Sequence, residues 1–115
     1  MLEQRLEFRV RLEAQLAALA QELLALGTSV ILEWGFWARR ERDEKREAAR
    51  SVGAAVELHF LDVPYDELVR RVVERTANGG IPITADHMAR YRGTFEPPTD
   101  DELALYDPPM EPHLP

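Results

Sequence analysis

The stretch from Ser29 to Trp37, SVILEWGFW, limits more than any other what this chain can fold into. Val30-Ile31-Leu32 is an apolar run of buried-strand character that ends on an acid, Glu33, and breaks at Trp34-Gly35-Phe36-Trp37 before a charged helical segment. In open α/β sheets ligands sit just beyond the carboxyl ends of the strands, so Glu33 is a candidate functional acid.

No phosphate-binding loop accompanies that strand. A GxxxxGK[ST] loop needs glycines that let backbone N–H groups curl around phosphates, a Lys that reaches the outer phosphates, and a hydroxyl for the metal. The single Lys of the chain, Lys45, sits in Asp43-Glu44-Lys45-Arg46, with no glycine close by and no Ser or Thr after it. A GxGxxG fingerprint is missing too, since the only closely spaced glycines are the adjacent Gly79 and Gly80.

The pattern of elements reads helix, strand, helix, strand, helix, loop, helix. Leu12, Leu16, Leu19, Leu23 and Leu26 recur at three and four on a helix from about Leu2 to Leu26, with Gly27 placed to end it. Strand Val30–Trp34 leads to a helix over Ala38–Ser51 closed by Gly53, whose arginines and acids predict a largely solvated face. Ala55–Leu61 is a second strand, stopped by Asp62-Val63-Pro64. A third helix covers Tyr65–Ala77, residues 78–82 form a loop, and Thr84 is placed to cap a short helix reaching Arg92. This alternation predicts an α/β fold with two parallel strands and about four helices, joined by a right-handed crossover.

At 115 residues the chain suits one small domain, residues 1–95, followed by a tail over 96–115. The tail holds six of the eight prolines and six acidic groups with no Lys or Arg, which predicts weak, extended packing. A net charge of −7 disfavours nonspecific nucleic-acid binding. Apolar runs too short for a bilayer, an N-terminus of alternating charge and the absence of Cys predict a cytoplasmic chain without membrane contact. His59, His87 and His113 show no metal-binding spacing, and no GxSxG nucleophile occurs.

The strings Gly27 to Asp43 (GTSVILEWGFWARRERD), Val56 to Pro64 (VELHFLDVP), Glu67-Leu68 with Arg71 and Arg75, and Phe95-Glu96-Pro97-Pro98 resemble the later part of AAA-type P-loop ATP-binding proteins. Within these the likeness is to small kinase-like proteins such as zeta toxins and chloramphenicol phosphotransferases. It covers roughly residues 10 to 103 and does not reach the phosphate loop, so it implies a partial three-layer αβα kinase-like fold that lacks the centre of its sheet. Family members commonly carry Asp at the position of Glu33 and Ser at that of Ala38; the second difference removes a helix N-cap, at a cost of about 1 kcal/mol.

By that resemblance Glu33 positions a metal-bound water or a substrate hydroxyl, Arg71 and Arg75 clamp nucleotide phosphates, and Arg39 and Trp37 face a phosphate or substrate. Each has a plainer reading. Glu33 is equally a solvated acid at a turn, the arginines are equally surface groups paired with Glu67 or Glu74, and Trp34, Phe36 and Trp37 are equally packing aromatics.

Three functions follow. The chain is the portion of an ATP-dependent small-molecule kinase or ATPase without its phosphate loop, whose full-length relatives use ATP and Mg²⁺ while this chain alone binds nucleotide weakly or not at all. Alternatively it is a non-catalytic interaction module that dimerises or takes a missing strand from a partner. The third reading is a remnant with no activity.

Overall fold

The computed structural model describes residues 2–110; Met1 and residues 111–115, the end of the acidic tail, lie outside them. Helix α1 spans Leu2–Ala25 and ends as its sequence predicts. Gly27 takes φ 87°, where a side chain is strained, which lets Thr28 N–H reach the Leu23 carbonyl at 3.0 Å and Gly27 N–H the Leu24 carbonyl at 3.0 Å. Helix α2, Arg39–Ser51, closes through the same pair of bonds around Gly53, at φ 80°. Helices α3 (Tyr65–Ala77), α4 (Ala85–Thr94) and α5 (Asp100–Leu103) follow.

Local chemistry explains the helix starts. Thr84 accepts from His87 N–H at 3.2 Å while His87 Nδ1 faces Thr84 N–H at 3.4 Å, a reciprocal cap on α4. Ala38, at the N-cap of α2, offers no such bond.

The expected α/β sheet is not present: among the described residues there is no strand. Residues 29 to 37 are non-helical, and from Ser29 to Trp37 the side chains alternate between exposed and half-buried in strict period two. What is lacking is pairing. A ladder needs regular backbone bonds to a second strand, and among the described residues neither this segment nor 55–61 makes them. Their fixed points lie instead in the C-terminal segment: Glu96 N–H donates to the Trp37 carbonyl at 2.8 Å, and Asp107 N–H donates to the Val56 carbonyl at 2.7 Å. Periodicity therefore predicted the backbone's extension and not its pairing.

Residues 96–107 do not pack weakly. Thr99 caps α5 by accepting from Glu102 N–H at 3.3 Å, and Glu102 is the most buried large side chain described, 1% exposed. Asp107 Oδ2 receives both Val56 N–H at 2.7 Å and Arg50 Nη1 at 2.6 Å. These bonds hold the Asp107 carboxyl below the usual carboxylate range, the Val56 amide first and Arg50 second.

The interior is small. Among the described residues the buried apolar side chains are Ala20 and Ala49, joined by the charged Arg42 and Glu102. The radius of gyration is 16.5 Å, where a compact chain of this length has about 13 Å. No helix among the described residues is long and apolar enough to cross a membrane.

Candidate functional site

Two clusters carry the residues that the sequence singles out. The first forms around the start of α2. Arg42, expected on a solvated face, is instead 4% exposed. Its guanidinium forks onto Glu102 through Nε at 2.6 Å and Nη2 at 2.8 Å, and also donates to the carbonyls of Phe36 and Glu96 at 2.8 Å each. One side chain thus gathers the LEWGFW and FEPP strings. The carboxylate raises the Arg42 pKa further, so the cation is permanent.

That clamp holds a strained loop. Phe36 has φ 45°, which costs an aromatic residue roughly 1–3 kcal/mol, and its ring stacks on Trp34 at 4.8 Å. Trp37 then lies against Tyr91 at 5.3 Å and edge-on to Phe95 at 5.8 Å, with Phe60 5.9 Å beyond Phe95. Gly35 is required by close approach, since a Cβ there would overlap the Trp37 indole. Trp37 thus packs against aromatics and still shows 39% of its surface. Arg39 pairs with Asp43 at 3.5 Å on the surface of α2. Glu33 is exposed, and no described hydrogen bond or ion pair links it to Arg39, Arg71 or Arg75.

The second cluster lies at the end of α3. Arg71, Glu74, Arg75, Asn78, Gly79 and Gly80 line one open depression. Arg71 donates to Glu67 Oε1 at 2.9 Å, and Arg70 grips the same carboxylate at 2.7 and 2.9 Å. Arg70 first and Arg71 second hold the Glu67 pKa down to about 2. Arg75 is exposed and has no ion pair among the described residues. Its position is defined by the turn beneath it: Gly80 N–H donates to the Arg75 carbonyl at 2.9 Å, and a Cβ on Gly80 would come within 2.8 Å of both that carbonyl oxygen and Arg75 Cγ.

The amides of this turn are occupied. Asn78, Gly79 and Gly80 donate to the carbonyls of Glu74, Thr76 and Arg75, so the loop caps α3 and offers no backbone cradle to an anion. Any anion here meets side chains only. Among the described residues no three of His, Cys, Asp and Glu converge as a metal set.

The arginine pair at one-turn spacing was legible from sequence, because i and i+4 share a helix face. The Arg42–Glu102 clamp was not, since its partners are far apart in the chain. The Thr99-Asp100-Asp101-Glu102 string does carry the S/T-x-x-E capping signature that could have located α5.

A family model described as an AAA domain matches residues 2–98. No curated protein and no solved structure matches the chain. The match takes in α1 to α4, both extended segments, the aromatic loop and both arginines of the α3 depression. The chain belongs to the AAA domain family, of the P-loop NTPase type.

Proposed function

We propose that this chain is the arginine-bearing portion of a small ATP-dependent kinase-like protein, similar to zeta toxins and chloramphenicol phosphotransferases, in which Arg71 and Arg75 contact nucleotide phosphates. The supporting observation is Arg75 itself, an exposed guanidinium with no ion pair among the described residues, set on a turn that leaves no room for a side chain at Gly80. Arg71, one turn back, is oriented by Glu67 and presents its remaining donors beside it.

The residues present fit a contact to outer phosphates and not a whole ATP–Mg²⁺ site, because the loop amides are consumed by the helix cap and no metal set is described. In this reading other polypeptide supplies the phosphate loop. Glu33 serves a hydroxylated acceptor, and Arg39 with the half-exposed Trp37 lies on the acceptor side. A cytoplasmic setting, where ATP is abundant, suits a chain without Cys.

Titration of ATP into the chain, followed through the Gly80 amide resonance, tests this. Weak binding is expected, with Kd on the order of 1 mM, lost in Arg75→Ala and weakened in Arg71→Ala. Micromolar affinity, or binding undiminished in Arg75→Ala, would overturn it.

A further inference from the structure

The chain exposes 9582 Å², whereas a compact monomer of its mass exposes about 6,400 Å². The excess is several times the roughly 800 Å² that each partner contributes to a standard interface. Helix α1 contributes to it. That helix meets the rest of the protein through its C-terminal turns, where Ala20 is buried and Gln21 Nε2 donates to the Ala48 carbonyl at 2.7 Å. Between Leu6 and Leu16 its large apolar side chains stand open: Leu6, Phe8, Val10, Leu12 and Leu16 are between 42% and 65% exposed. Helices draw most of their stability from packing an apolar face, and a row of exposed large apolar side chains marks an interaction surface.

We infer that this open stretch of α1 pairs antiparallel with the same segment of a second copy, around a two-fold axis at Arg9. The sequence has the symmetry that such an interface demands. Arg5, Leu6, Arg9, Leu12 and Glu13 recur at three, four and seven, so they share one side of the helix. About Arg9 they are mirror-related: Leu6 and Leu12 stand three positions away on either side, Arg5 and Glu13 four. An isologous antiparallel pair therefore sets Leu6 on Leu12 and Arg5 on Glu13, each twice.

Arg5 and Glu13 lie about 12 Å apart along their own helix, too far to pair within one chain. Among the described residues neither makes an ion pair, and a second copy in this register supplies one to each. Arg9, on the axis, lies one turn from its own Glu13, whose charge offsets the approach of the second Arg9.

Sedimentation equilibrium of the chain and three variants tests the register. The chain is expected to be dimeric at micromolar concentration. Glu13→Arg and Arg5→Glu each place like charges opposite one another twice and weaken the dimer by about tenfold or more. The doubly swapped chain, R5E with E13R, restores the pairing and returns within about threefold of the original affinity. Circular dichroism of each variant shows that α1 is retained, and a variant that loses helix is replaced by Glu13→Gln, expected to weaken the dimer less than Glu13→Arg. A monomeric parent chain, single variants that dimerise as the parent does, or a double variant no tighter than the singles would each overturn the inference.

Discussion

Arg42 Nε lies 2.6 Å from Glu102 Oε2 and Arg42 Nη2 lies 2.8 Å from Glu102 Oε1, a buried fork that ties α2 to α5 across 60 residues of chain. The same guanidinium holds the carbonyls of Phe36 and Glu96, so the loop that carries Trp37 and the segment that carries Phe95 depend on one side chain.

Removing either partner strands a buried charge. Glu102→Ala and Arg42→Met are each expected to destabilise the chain by about 3–5 kcal/mol in urea unfolding. The double replacement, Arg42→Met with Glu102→Leu, recovers part of that loss and not all of it, because the Phe36 and Glu96 carbonyls still lose their donor. Full recovery would contradict the role of Arg42 in holding the loop.

Ala38→Ser supplies the missing cap of α2. Ala38 has φ −101° and ψ 140°, the extended geometry of an N-cap, and Glu41 stands at the third helical position, so a serine completes a capping box. Stability should rise by about 1 kcal/mol, read as a higher urea midpoint at unchanged slope. Thr99→Ala, which removes the cap of α5, should cost a similar amount.

Gly80→Ala acts through space rather than backbone angle. The new Cβ would meet the Arg75 carbonyl oxygen and Cγ at 2.8 Å, and the carbonyl cannot move without releasing the bond from Gly80 N–H. We expect a loss of roughly 1–3 kcal/mol and, in amide spectra, shifts concentrated at residues 75–80. A variant with parental stability and spectra would mean that the turn does not position Arg75.

Glu67 reports on acid. Its pKa is lowered to about 2 by Arg70 and then Arg71, so the folded state binds its proton less readily than the unfolded chain. The stability it contributes is therefore fully present above about pH 4.5 and is lost as pH falls toward 2. A carbon-detected titration of the side-chain carboxyl should show a midpoint near 2 that moves up toward the ordinary range in Arg70→Ala.

Most of what rests on contacts within a few residues was legible in the sequence, with α5 and its Thr99 cap the exception. Gly27 and Gly53 end their helices because a positive φ is needed one position past the last turn, Thr84 caps α4 from three residues away, and Arg71 and Arg75 share a face at one-turn spacing. The alternation of residues 29–37 was legible for the same reason, as an extended backbone turns its side chains to opposite sides. Only the tertiary structure decided what those extended segments meet. Their backbone hydrogen bonds run to Glu96 and Asp107, and Arg42 leaves the solvated face of its helix because Glu102 and two carbonyls satisfy its charge and donors together. A buried guanidinium is stable only when distant groups converge on it, and that convergence depends on how the whole chain comes together.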